Sequence, residues 1–371
     1  MAIWKIDELG EFVTLKRGYD LPQQKRKNGE IPIFSSSGVT GTHNEAMVEA
    51  PGVITGRYGT IGEVFFAETS FWPLNTTLYV ENFHENDEKF VYYFLKTLEW
   101  KKFASASAVP GINRNTVHKE IVRFPDFETQ QKIASVLSTI DKKIAVNKAR
   151  NDNLEQQAAT YFQELFINNA NPMWQISTIS DLGTVVGGST PSKTKPEYYT
   201  NNGIAWITPK DLSINKSKFI SHGENDITEL GLKNSSATVM PKGTVLFSSR
   251  APIGYIAIAS NEVTTNQGFK SVIPYSEIGT AFVYFFLKHS LPVIESAASG
   301  STFKEISGSA MKNIPAIIPD RNTLDQFNSF CAPIFAQQKI LEEQNHSLAM
   351  LRDSLLPKLM SGAIDIASIQ L

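Results

Sequence analysis

Two stretches of the chain carry apolar or small residues at alternating three- and four-residue intervals, the spacing that lays one stripe along an α-helix. The first series is Ile133, Leu137, Ile140, Ile144, Asn147, Asn151, Leu154, Ala158, Tyr161 and Leu165. The second is Phe327, Phe330, Ile334, Gln337, Leu341, Gln344, Leu348, Leu351 and Leu355. Pro125 and Pro319 precede the two starts, and Asn171-Pro172 and Pro357 mark the two ends, as expected of a residue that cannot continue a helix. Each helix of ~38 residues would span roughly 57 Å at a rise of about 1.5 Å per residue. Packing each helix on its own domain is one reading. The length of the stripes favours the other, in which the two pack antiparallel and the polar residues in mid-seam fix their register.

The remaining sequence alternates differently. Short β-like runs such as Gly52-Val53-Ile54-Thr55, Val64-Phe65-Phe66 and Thr244-Val245-Leu246-Phe247 lie between glycine and proline turns. Within this region the chain repeats itself. Residues 90–96 read FVYYFLK and residues 282–288 read FVYFFLK, at an offset of 192. Tyr92, Tyr93 and Phe94 are expected in a core. Trp4-Lys5-Ile6 and Trp174-Gln175-Ile176 open the halves at an offset of 170. Arg57-Tyr58-Gly59 faces Arg250-Ala251-Pro252, and Phe124-Pro125-Asp126 faces Ile318-Pro319-Asp320. The offsets leave the second half roughly two dozen residues longer, an excess assigned to residues 193–218.

The expected fold is therefore α+β. Two similar globular α/β domains, 1–125 and 171–319, are joined by two long antiparallel coiled-coil-like helices, 126–170 and 320–371, as a pseudo-two-fold internal repeat. A hydrophobic content of 42% and a charged content of 19% suit a globular chain. The formal net charge of -2 gives no overall basic footprint. The lone Cys331 rules out an internal disulfide framework, and the six histidines form no i, i+4 pair. There is no run of 18 apolar residues and no signal-peptide pattern, so a soluble cytoplasmic protein is expected. The motifs of phosphate cradles, nucleophile elbows and zinc hydrolases are missing. Residues 187–194 have the composition of a phosphate loop with the wrong spacing, and Asn171-Pro172-Met173-Trp174 imitates an amino-methyltransferase motif without its cofactor loop.

In their order and repetition, several segments resemble the specificity subunit of type I restriction-modification systems. They are the openings at Trp4–Gly10 and Trp174–Ser180, Gly187-Gly188-Ser189-Thr190-Pro191, Ile204-Ala205-Trp206-Ile207, Pro125 with Gln130-Gln131-Lys132-Ile133, and the closing run of residues 351–362. The first half departs from the pattern, with Lys16-Arg17-Gly18-Tyr19 in place of Gly-Gly-Ser-Thr-Pro. The resemblance implies two target-recognition domains that each read a short half-site of double-stranded DNA. It implies paired helices that set the gap and dock two methyltransferase subunits, which restriction subunits join. Catalysis, S-adenosylmethionine and ATP would belong to those partners, leaving this chain without a catalytic centre, cofactor or metal. Two halves that share a scaffold but differ in exposed residues imply an asymmetric, two-part target, whereas a symmetric reader binds palindromes. The competing readings are a methyltransferase or nuclease with degenerate motifs, and a non-catalytic coiled-coil scaffold without DNA specificity.

Candidate DNA contacts follow from donor chemistry and from glycine- or serine-rich surroundings. In the first half they are Lys16, Arg17, Ser35, Ser36, Ser37, Arg57, Tyr58, Asn75, Asn113 and Arg114. In the second they are Ser189, Thr190, Lys210, Ser249, Arg250, Asn266, Gln267, Ser301, Thr302 and Lys304. Arg57 and Arg250 are aligned as equivalents, which suits a shared phosphate or scaffold role. Asn75 and Asn266 suit either a base edge or a turn cap.

Overall fold

The glycine- and proline-bounded runs of each half form short strands because their alternating or wholly apolar residues can be buried only against a second layer. The computed structural model describes residues 3–105, 110–300 and 304–366. It divides into two units, residues 1–145 with 346–371, and residues 146–345. Each unit thus holds one strand-rich head and the adjoining stretches of both long helices. No helix among the described residues is long and apolar enough to cross a membrane.

In the first unit a four-stranded antiparallel sheet has the order Thr14–Arg17, Thr77–Asn82, Gly52–Gly56, Val64–Ala67. A smaller sheet pairs Gly38–His43 with Ile31–Ser35, and the latter runs parallel to Trp72–Pro73. Trp4–Glu8 pairs with Ile121–Pro125 and so closes the head at its junction with the helices. The helix Glu88–Lys96 buries Phe90, Val91, Tyr93, Phe94 and Leu95 in the core, with Tyr92 at its edge.

The second unit repeats this plan. Its main sheet has the order Gly183–Gly187, Lys270–Pro274, Val245–Ser249, Ile253–Ala259, Phe219–Ile220. The parallel pairing of Ile207 with Thr265 repeats that of Phe34 with Pro73. The offset is therefore still 173 at Phe34 and Ile207, and it reaches 192 by the central strands. The extra residues thus lie almost wholly after Ile207, not from residue 193 onward. They build the helix Pro209–Ile214 and the fifth strand Phe219–Ile220, where the first unit has a tight turn after Ser35.

The central helix runs Phe127–Gln163 and continues as a wider turn over Glu164–Asn168, and the C-terminal helix runs Arg321–Ser361. In the second unit the two pack antiparallel. Asn147 donates to Gln344 at 3.3 Å, Gln338 donates to the Asn151 carbonyl at 3.1 Å, and Gln326 donates to the Tyr161 hydroxyl at 2.6 Å. The first stripe lies at the seam as expected, with Ile133, Leu137, Ile140, Asn147 and Ala158 buried.

The second stripe needs correction at two positions. Gln337 and Leu351 are exposed, and Gln338 and Arg352 beside them meet the central helix instead, whereas Phe330 and Gln344, though exposed, still reach it through the Tyr161 ring at 4.5 Å and through Asn147. Two adjacent residues at each step fit the same periodicity, and the choice between them turns on where polar residues find partners. Pro357 does not end its helix, which continues to Ser361 because Leu359 and Met360 are buried in the first unit's core. The helix then stops at Gly362, whose φ of +73° suits glycine and whose missing side chain leaves room for the Trp4 ring.

Candidate nucleic-acid interface

Half of the expected DNA contacts in the first unit, and most of those in the second, gather at one end of the main sheet. In the first unit that end is set by the pairs Arg17 with Leu78, Gly56 with Thr77 and Thr55 with Val64. Arg17, Arg57, Tyr58 and Asn75 lie on its strand ends and loops, and Ser36 approaches from the smaller sheet, beside Gly56 and Gly59. In the second unit the corresponding end is set by Gly187 with Lys270 and Ser249 with Ile253. Ser189, Thr190, Arg250, Asn266, Gln267 and Lys304 lie there.

Backbone hydrogen bonds put the two ends in register residue by residue. Gly18 and Gly188 each sit where a Cβ would strike the carbonyls of the facing segment, Pro73-Leu74 in one unit and Thr265-Asn266 in the other. The next amides donate to those segments, Tyr19 to the Pro73 carbonyl at 2.8 Å and Ser189 to the Thr265 carbonyl at 2.9 Å. Side chains bridge the same gap one residue on, Asn75 to Asp20 in the first unit and Thr190 to Gln267 in the second.

The alignment of Arg57 with Arg250 does not survive this register. The Arg57 carbonyl accepts from Ile112 at 3.1 Å, and the Ser249 carbonyl accepts from Ile306 at 3.1 Å. Arg57 donates its own amide to Thr76 at 2.8 Å, as Ser249 does to Gly268 at 2.7 Å. The bridge of Tyr58 with Gly111 matches that of Arg250 with Glu305. Arg57 therefore corresponds to Ser249, and Tyr58 to Arg250. The arginines were one place out because each stands first in a similar turn, and only backbone pairing separates them.

Apart from Gly18 with Gly188 and Ile112 with Ile306, the side chains at these matched positions differ. Arg57 donates from Nε to the Ile112 carbonyl at 3.2 Å and lies 4.5 Å from the centre of the Tyr58 ring. Ser249, its counterpart, is fully buried and offers no surface to a ligand. Arg250 donates from Nη1 to Glu305 at 3.3 Å, and Lys270 lies 3.7 Å from the same carboxylate. Arg17 pairs with Asp20 at 3.5 Å, where the second unit has Gly187 and Thr190. Asn113 and Ser307 both cap short helices, accepting from the amides of Asn115 and Ala310. Asn113 thus has a structural role, with Arg114 exposed beside it. Asn266 accepts from the Gly268 amide at 2.8 Å, the turn-capping alternative, whereas Asn75 bonds across the gap to Asp20.

Other candidates lie apart from this row. Lys16 is one strand position inward and pairs with Glu81 at 2.5 Å, a contact that holds its ammonium above the usual lysine range. Ser35 and Ser37 bond each other across a turn at 3.0 Å. Lys210 belongs to the inserted helix and pairs with Glu224 at 2.6 Å. Ser301 and Thr302 lie outside the described residues. Tyr19, Lys270 and Glu305 were not foreseen. Tyr19 and Lys270 were signalled only by neighbouring candidates, and Glu305, an acceptor, lies outside the donor chemistry from which the candidates follow. Among the described residues no group of three His, Cys, Asp or Glu side chains could hold a metal ion.

This duplicated arrangement has a known counterpart. Residues 1–156 and 171–345 each match the type I restriction modification DNA specificity domain. The chain belongs to that family. It is 43% identical to the type I restriction enzyme MjaIX specificity subunit of Methanocaldococcus jannaschii, over 43% of this chain and 37% of that protein. It is 24% identical to the type I restriction enzyme HindI specificity subunit of Haemophilus influenzae, over 72% of this chain and 75% of that one. The match thus spans little more than a third of the first relative's length and three quarters of the second's. The fold is shared with the S subunit of the type I restriction-modification system from M. genitalium, with a TM-score of 0.65, 18% identity and 96% of both chains covered. The two sheet ends are therefore equivalent places in two copies of one specificity domain.

Proposed function

We propose that this chain is the sequence-reading subunit of a type I restriction-modification complex and has no catalytic centre of its own. Residues 1–125 and 171–319 act as two target-recognition domains, and residues 126–170 and 320–371 as the spacer between them. Each domain reads a short half-site of double-stranded DNA with its sheet end. Because the two ends differ, the target is asymmetric and in two parts, with an unread gap set by the helices. Two methyltransferase subunits dock on the chain and restriction subunits join them, all in the cytoplasm. The modest net charge suits such a division of labour, since partners that clasp the phosphates supply the salt-dependent share of affinity.

One observation carries this reading. The two sheet ends share a backbone hydrogen-bond pattern, yet matched positions hold Arg17 and Gly187, Asp20 and Thr190, Arg57 and Ser249, Tyr58 and Arg250. A structural role would conserve the side chains along with the scaffold, whereas separate recognition of two sequences requires them to diverge. The readers in this proposal are Arg17, Arg57, Tyr58, Asn75 and Arg114 in the first domain. In the second they are Ser189, Thr190, Arg250, Gln267 and Lys304.

The test is selection of random-sequence duplexes by the chain assembled with its methyltransferase subunits. The expected enrichment is for two unlike half-sites at a fixed separation. A palindromic consensus, or no consensus, would contradict the proposal.

A further inference from the structure

We propose that Arg250, clamped by Glu305, reads a guanine in the second half-site, and that positions 250 and 305 form one specificity-determining pair whose first-domain counterpart is Tyr58 with Gly111. The inference rests on the DNA-reading function proposed above and assigns one base contact to it.

The two pairs occupy the same slot. Each joins the end of a central strand to a residue of a later segment, bridged as Arg250 with Glu305 and as Tyr58 with Gly111. The later residues are anchored alike, by Ser299 donating to the Glu305 carbonyl at 3.0 Å and by Ser105 donating to the Gly111 carbonyl at 3.0 Å. The side chains within each slot depend on each other. In the first domain the Tyr58 ring lies so close over Gly111 that a Cβ there would be 2.1 Å from a ring carbon. In the second, the partner position carries a carboxylate and the strand carries a guanidinium, 3.3 Å apart. Aromatic with glycine and arginine with glutamate are thus two solutions to one geometry, exchanged as a unit while the scaffold stays fixed.

The contacts around Arg250 suit a base edge because they orient its guanidinium. The Glu305 carboxylate, whose charge Lys270 balances, engages one side of the guanidinium and turns the rest of it outward. Lys270 holds the other oxygen of Glu305 at 3.7 Å and also reaches toward the Gln267 carbonyl at 3.5 Å. Glu305 is thus engaged by two cations, and it holds one nitrogen of Arg250. The Arg250 side chain remains 38% exposed. Its other donors, unpaired among the described residues, keep the planar fork that matches the O6 and N7 acceptors of guanine. Lys304, exposed and next in the chain, has no such acid holding it among the described residues and suits the backbone. Tyr58 lacks the fork, so the matched position of the first half-site is read without bidentate donation.

The experiment uses the complex with its methyltransferase subunits and duplexes that vary one base at a time across both half-sites, with methylation rate as readout. Arg250→Ala should lower discrimination at one guanine of the second half-site by about 5- to 150-fold, the range for a bidentate pair, and leave the first half-site unchanged. Arg250→Lys keeps the charge but loses the fork, and should relax the same position. Glu305→Gln, which preserves size, should weaken discrimination there less than Arg250→Ala does. An equal loss on all sequences with an unaltered motif, or full recovery of specificity by Arg250→Lys, would overturn the assignment while leaving the DNA-reading function standing. If no motif depends on this chain at all, the broader reading fails and takes the assignment with it.

Discussion

Lys218 and Glu155 form a buried ion pair in the second unit, joining the inserted strand to the central helix. The Lys218 side chain is only 6% exposed. Its ammonium also donates to Gln338 Oε1 at 2.6 Å and lies 4.1 Å from the centre of the Phe335 ring. Burial pushes the Lys218 pKa down. Burial alone would raise that of Glu155, but Lys218 and Lys288 outweigh it and hold the carboxyl below its usual range. The amides of Lys218 and Phe219 complete the contact by donating to Glu342 at 2.8 and 3.0 Å. The strand that the first unit lacks is thus tied to both long helices within its own unit.

Removing one partner of such a pair strands the other in the interior. Glu155→Ala should therefore destabilise the second unit by about 3 kcal/mol, the lower end of the range for broken buried pairs, because Glu155 keeps some contact with water. Adding Lys218→Met should recover part of the loss, since the stranded charge is then gone. Urea unfolding of the full-length chain measures both. Equal stability of the single and double variants would contradict a buried-charge origin.

In the first unit the corresponding tie is Asp141, which accepts from the Tyr93 hydroxyl at 2.6 Å and from Arg352 at 2.8 Å. Tyr93→Phe removes one bond and should cost about 1 kcal/mol. Asp141→Ala leaves the Tyr93 hydroxyl without this acceptor and Arg352 with Asp353 alone, and should cost about 2 kcal/mol or more. The order of the two, read from denaturant midpoints, is the check.

Asp126 and Asp320 start the two long helices by accepting from the amides of Thr129 and Thr323, each at 3.0 Å. These backbone bonds lower both carboxyl pKa values. A carboxylate whose pKa is lower in the folded state stabilises that state at pH values above its unfolded pKa. The contribution fades as pH falls through the lowered folded value. Acid titration should therefore loosen both helix starts below about pH 4, the unfolded aspartate value. In Asp126→Asn with Asp320→Asn, which keep a capping oxygen, this acid-sensitive part should vanish from the stability profile.

Much of this architecture was legible in the sequence, for identifiable reasons. The aromatic helices at Phe90 and Phe282 are core, and the core fixes both pattern and spacing, so they revealed the duplication. The first seam was readable because its choices were unambiguous at Ile133, Leu137 and Ile140. The second offered Gln337 or Gln338, and Leu351 or Arg352, at single steps. Apolarity could not separate the first two and favoured the exposed residue of the second two, because Arg352 belongs at the seam only through Asp141, a partner 211 residues away. Local sequence could not align Arg57 with Ser249 either, since that match exists only in backbone hydrogen bonds to Ile112 and Ile306. Glu305 carries no side-chain donor, and its place beside Arg250, 55 residues away, exists only in the folded chain.

Tyr58 and Gly111 provide a test in the first domain. Gly111→Ala places a methyl group within the ring's position and must displace Tyr58. The expected outcome is an altered or weakened first half-site with the second half-site intact, measured by methylation of duplexes that vary each half separately. Loss at both halves in equal measure would mean that the substitution acts on the whole fold.

The most direct test of the central claim is methylation mapping by long-read sequencing in cells with and without this gene. The account predicts the loss of one asymmetric methylated motif made of two short parts with an unread gap. If every motif persists while the partner methyltransferase is expressed and active, this chain does not confer sequence specificity.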